Sequence, residues 1–241
     1  MITNDIVGNT FGGEGQKENE YIRCFSPDPE DSPSRHFARF AKKYVELFVP
    51  EMNVEMIFRL DRFGRGGDHR PFTENGFAGI RFTEPNEFFA QQHTGEDRLD
   101  YVDFDYIARA TKVNATTLAC LADAPLPPQL AMIQRDPQTY ETVLSWRSTE
   151  PVDHLQGYKV FLRETADRYW QQERPISVPP EIDVPNLGKV YQTRLRGRSI
   201  DQYVFGMAAI SKNGRESAVS TFDLQAAGAW VRAQREQQSR K

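Results

Sequence analysis

The sequence predicts an α/β layer, in which short strands alternate with amphipathic helices, followed by an all-β sandwich of the immunoglobulin-like kind. Three observations predict it. Through residue 123, short β-branched or aromatic runs alternate with two long stripes of apolar residues at helical spacing. Pro125, Pro127 and Pro128 then stiffen a stretch that cannot continue a helix. Beyond them the period shortens, and strand-like runs succeed one another with Gly, Pro, Asn or Asp between them. The expected organisation is an α/β domain over 1–123, a linker over 124–129, a β-sandwich over 130–223 and a polar, helix-permissive tail over 224–241.

Ile2 to Val7 is mostly β-branched and ends at Gly8, as a buried strand closing in a turn would. A Gly-rich polar stretch follows, and Tyr21 to Phe25 has the composition of a second strand. Ser32 before Pro33 is a helix start: the hydroxyl caps a free amide, and proline at the first helical position forfeits no internal bond. Phe37, Phe40, Ala41, Tyr44, Leu47 and Phe48 continue one helical face until Pro50. Val54 to Leu60 and Gly79 to Thr83 supply two further strands, and a short helix is expected between Asp68 and Gly76. Asp103 is a cap for a second long helix, whose stripe runs through Tyr106, Ile107, Ala110, Val113, Thr117, Leu118 and Leu121. After the prolines, strands are expected at 142–146, 158–162, 190–195, 203–210 and 218–222, with a hairpin turn at Asn213-Gly214. Large aromatics such as Trp146 and Tyr203 belong to a sandwich core.

A hydrophobic fraction of 39% with 27% charged residues supports a packed core rather than disorder. A net charge of −4 gives no broad attraction for a phosphate backbone or an anionic membrane, so nucleic acid is not an expected partner. No transmembrane segment is expected, since no run of about 18 apolar residues occurs. The stretch MITNDIVGNT lacks the basic and apolar regions of a signal peptide. Cys24 and Cys120, the two cysteines, form no recognisable metal or redox motif, although they could pair in a disulfide.

Three places could carry chemistry. Asp5 follows a strand, where an α/β sheet presents functional groups, although an Asp there equally serves a turn. In Gly66-Gly67-Asp68-His69, two glycines permit tight backbone geometry before an acid and an imidazole; Asp68 could cap the short helix and His69 could orient another side chain. His93 lies in a loop, HTGED, where a neutral imidazole could ligate zinc or simply face solvent.

The order of these pieces, TNDIVGN, GGDHRPFTENGFAGIRFTE, HTGED and VDFDYIARATKVNATTLACLA, resembles the C-terminal portion of the zinc-dependent aminopeptidase and glutamate carboxypeptidase superfamily. That resemblance implies a mixed sheet with flanking helices. It also implies two zinc ions, with Asp5 as a carboxylate ligand, His93 as the last histidine ligand, and Asp68 and His69 supporting the site or contacting substrate. The implied activity is removal of N-terminal residues from peptides outside the cytoplasm, by a zinc-bound water with a Glu moving protons. The family's His-x-Asp segment and Glu-Glu pair belong before Asp5, where only four residues stand, so the expected chain is truncated and inactive alone. Gln92 also stands where some relatives carry a Tyr that stabilises the oxyanion. The second module resembles fibronectin type III, which implies a protein or carbohydrate ligand. A non-catalytic binding or scaffold protein acting through that sandwich is the alternative.

Overall fold

A computed structural model describes residues 1–27, 29–136 and 138–222, so the tail expected over 224–241 lies outside the described residues. The chain divides into two compact units, 1–123 and 124–241. No helix among the described residues is long and apolar enough to cross a membrane.

The first unit holds β1 (Ile2–Asn4), β2 (Tyr21–Phe25), α1 (Pro33–Phe48), β3 (Asn53–Ile57), α2 (Arg70–Glu74), β4 (Ile80–Thr83) and α3 (Phe104–Asp123). The strands form one mixed sheet in the order β1-β4-β2-β3. β1 runs parallel to β4 and β2 parallel to β3, while β2 and β4 are antiparallel. Both long helices start where their capping residues dictate. Ser32 accepts the Arg35 amide at 3.2 Å and Asp103 accepts the Tyr106 amide at 2.9 Å.

Alternation along the strands sorts their side chains onto two faces. Ile22, Cys24, Val54, Met56, Ile80 and Phe82 meet Phe37, Ala38, Ala41 and Val45 of α1 and Tyr106, Ala110 and Val113 of α3 in one apolar core. Arg23, Phe25, Arg81 and Thr83 take the opposite face. Several sequence expectations shift. Leu47 and Phe48 of α1, and Leu118 and Leu121 of α3, are exposed rather than part of the buried stripe. β1 stops at Asn4, because Ile6 enters the left-handed region with φ 64°. No disulfide joins Cys24 and Cys120.

The second unit holds β5 (Gln129–Arg135), β6 (Thr142–Arg147), β7 (Leu155–Glu164), β8 (Gln172–Ser177), β9 (Ile182–Val184), β10 (Gly188–Leu195), β11 (Tyr203–Ser211) and β12 (Ser220–Thr221). They form two four-stranded sheets, β5-β6-β10-β9 and β12-β11-β7-β8. Leu144, Trp146, Tyr191 and Leu195 from one sheet share a core with Tyr158, Val160, Phe205 and Met207 from the other. Trp146 is fully buried, edge-on to Tyr158 at 5.1 Å. At the expected hairpin turn only Gly214, with φ 77°, takes a positive φ. Its amide donates to Ser211 O at 2.8 Å.

Candidate functional site

Asp5 is the first residue beyond β1, and its amide still donates to Phe82 O at 3.1 Å. The next residue turns the chain sharply. A β-branched residue at positive φ is strained, by on the order of 1–3 kcal/mol, and persists only where its surroundings fix it. Two bonds hold the Ile6 carbonyl, from the Glu84 amide at 2.8 Å and the Thr83 hydroxyl at 3.1 Å. The buried Glu84 carboxylate accepts the Asn9 amide at 2.7 Å and so clamps the far side of the same turn. Burial pushes the Glu84 carboxyl up to about 7, against the opposing pull of the Asn9 and Gly8 amides and Arg23.

The strained turn presents the Asp5 carboxylate to Arg81, whose Nη2 lies 2.9 Å from Oδ2. Arg81 is fully buried, whereas the Asp5 side chain keeps 42% of its exposure, so one edge of the carboxylate remains open. Arg81 is itself held by Asp61: its Nη1 lies 2.6 and 2.5 Å from the two carboxylate oxygens. Burial opposes the Asp61 charge, but the Arg62 amide and the Arg81 guanidinium outweigh it and hold the carboxyl below its ordinary pKa. Arg62 continues the chain of charges to Glu87, which also pairs with Arg23 at 2.6 Å.

His69 packs beside this network at Gly67. A side-chain carbon on Gly67 would lie 3.1 Å from His69 Nδ1, 3.2 Å from Arg81 Cδ and 3.3 Å from Asp61 Oδ2, so glycine is what lets the three converge. His69 is fully buried, with Nε2 2.6 Å from Leu60 O. A carbonyl only accepts, so Nε2 donates to it, while Nδ1 has no hydrogen-bond partner. Asp68 is exposed and does not cap α2; the residue at that cap is His69, which makes no side-chain cap bond.

His93 stands apart from this group. It is exposed, at φ 61°, in a loop folded by bonds such as Thr94 Oγ1 to Gln91 O at 2.8 Å. Among the described residues no hydrogen bond or ion pair joins it to Asp5. The structure therefore ties Asp5 to Asp61 through Arg81, sets His69 beside them at Gly67 with its bond to Leu60 O, and leaves Asp68 and His93 outward.

Zinc in proteins is held by three or four side chains. The described residues include no group of three His, Cys, Asp or Glu that could hold a metal ion. The open edge of Asp5 and the exposed imidazole of His93 have the right chemistry, but two donors do not fit a zinc ion, and no catalytic step follows from them alone.

Sequence reasoning missed Arg81, Asp61, Glu84 and Ile6. A weak signal for Arg81 exists: in GIRFT it is the charged residue between two apolar ones, and a charge inside a strand needs a partner. Nothing local points to Asp61, twenty residues away.

No family model matches the chain. The chain is 35% identical, over 90% of its length, to a protein of Pyrenophora tritici-repentis named "Probable zinc metalloprotease", of which it covers 48%. A protein of the same description from Leptosphaeria maculans is 33% identical, with 90% of this chain and 54% of that protein covered. A third, from Pyricularia oryzae, is 32% identical over 90% of this chain and 47% of its own length. The chain thus spans about half the length of the curated relatives it matches. The similarity supports a metallopeptidase relationship and makes zinc the metal to test.

Proposed function

We propose that this chain is the C-terminal half of a zinc exopeptidase that removes N-terminal residues from peptides outside the cytoplasm, with a fibronectin type III-like domain appended. Asp5 and His93 donate to a zinc site that other segments complete, which leaves this chain inactive by itself. The observation that carries the proposal is the strained turn at Ile6, which offers one edge of the Asp5 carboxylate while Arg81 fixes the other. Strain of that kind collects at functional sites. Similarity over 90% of the chain to proteins named probable zinc metalloproteases supports the metallopeptidase part of this assignment. For the second unit the support is strand order. Lettered A to G in chain order, with β8 as C′, its sheets run A-B-E-D and G-F-C-C′, which extends the immunoglobulin constant-type pairing by one strand.

The test is zinc content and aminopeptidase turnover, measured on the chain alone and after mixing with the N-terminal half of the Pyrenophora relative. Zinc uptake and turnover are expected only in the mixture, and Asp5→Ala or His93→Ala removes both. Full zinc retention by both variants in an active mixture would overturn the assignment.

A second role, a non-catalytic scaffold acting through the β-sandwich, draws support from a specific observation. The second unit has a complete two-sheet core, whereas the described residues form no three-ligand metal group. It predicts a saturable protein or carbohydrate partner and no turnover in either experiment.

A further inference from the structure

Between the loop that leaves Asp5 and the turn entering α3 lies an open cavity of about 590 Å³. Four aromatic rings line it, Phe11, Phe88, Tyr101 and Phe104, and three of them are unusually bare: Phe11 is 49%, Tyr101 45% and Phe104 63% exposed. Apolar rings left open around a concavity are the kind of surface that ligands cover. The aspartates at 100, 103 and 105 also line it, and the cations nearest them are Lys17, on the Phe11 ring, and Arg109, both of which act on Asp103.

The walls are fixed before any ligand arrives. The Asp103 amide donates to Gly8 O at 2.8 Å, and the hydroxyl of the fully buried Thr10 donates to Asp103 Oδ2 at 2.9 Å. Asp103 is thereby spent on the fold, as cap of α3 and as tie to Thr10. Asp105, in the first turn, also suits the positive end of the helix. Asp100 likewise stands in the first turn of a short 3-10 helix, Leu99–Tyr101, but helix ends do not account for the four rings.

The chain shows what the rim takes. The ammonium of its own Lys17 sits 5.3 Å from the centre of the Phe11 ring. A cation is drawn to an aromatic face, its aliphatic stem packs on neighbouring rings, and the carboxylates complement its charge. We infer that this cavity binds the side chain of a lysine or arginine presented by a peptide. The site is independent of zinc, and goes beyond the exopeptidase assignment rather than resting on it.

The experiment is titration of the 241-residue chain with Nα-acetyl-lysine amide, Nα-acetyl-arginine amide, and the norleucine and glutamate counterparts, followed by calorimetry and NMR. The two cationic probes should bind about fivefold or more tighter than norleucine, with an advantage that shrinks in high salt. The double variant Asp100→Asn/Asp105→Asn should erase that advantage and leave norleucine binding unchanged, while Phe104→Ala should weaken every probe. Circular dichroism identical to the parent shows that the variants fold. Equal binding of lysine, norleucine and glutamate probes, no saturable binding, or a cation preference that survives the double variant would each overturn the inference. Because no turnover is read, failure here leaves the exopeptidase assignment untouched, and failure of that assignment leaves this one standing.

Discussion

The two faces of the sheet in residues 1–123 are built on opposite principles. One is a continuous apolar layer in which Ile22, Cys24, Val54, Ile80 and Phe82 pack against α1 and α3. On the other, Arg23 and Arg81 meet a relay of charges that runs through Asp61, Arg62 and Glu87. The first face gains from removal of apolar surface from water, which needs no direction and little precision. The second gains little net stability, because buried charges must first be stripped of water, but it fixes angles. The candidate carboxylate, Asp5, is attached to the second face, and that is where orientation matters.

Three substitutions can break or sharpen this contrast. Every Trp lies after residue 123, so fluorescence reports on the second unit, and amide exchange in β2 and β4 is the readout for the first. Phe82→Ala, on the apolar face, should have the largest effect, about 4 kcal/mol of lost stability, with no single substitution at a neighbouring position restoring it. Arg81→Met should cost about 3 kcal/mol, because it strips the buried Asp61 of its two-oxygen partner and leaves that charge only Arg62. Here a rescue exists: Arg81→Met with Asp61→Leu should return to within about 1 kcal/mol of the parent, since removing both charges removes the penalty. A double variant as unstable as the single one would mean that the second face holds the fold by packing, like the first.

The smallest effect is a pH dependence. Glu84 has a folded pKa of about 7 against an ordinary 4.5. A raised pKa means that the folded state binds the proton more tightly, so the contribution is fully present below 4.5 and is lost as pH rises through about 7. Exchange protection in the first unit should therefore fall between about pH 5 and 7.5, by roughly 2–3 kcal/mol. Glu84→Gln should flatten that slope, since an amide oxygen still accepts from Asn9 but does not titrate in this range.

Elements whose signal is local were legible in the sequence. Ser32-Pro33 and Asp103 mark helix starts because the capping atoms belong to the residues at the boundary. Tyr21 to Phe25 announces itself by composition, and the structure has the strand over those residues. The edge strand β8 did not: Gln172 to Ser177 is almost wholly exposed and contains Pro175, so neither alternation nor apolar character marks it. β5 escaped for a related reason, since it follows two prolines and ends in exposed polar residues. In the candidate site, Asp5 could be named because it follows a strand, but the geometry that aims it could not. A left-handed isoleucine contradicts its own conformational preference and exists only because Thr83 and Glu84, far along the chain, hold its carbonyl. The Arg81 to Asp61 pair is equally invisible, since any acid could have answered that arginine.

The posture of Ile6 sets durability against aim at a single position. A selection that rewarded heat resistance alone would reach this residue early, because glycine or asparagine would take up φ 64° without the β-branched penalty. The relaxed turn would survive longer in a hot tube, and the bearing of the carboxylate would then rest on the bonds to the carbonyl at position 6 and on Arg81. Engineers screening this chain for ruggedness should therefore score the bearing of Asp5 alongside melting.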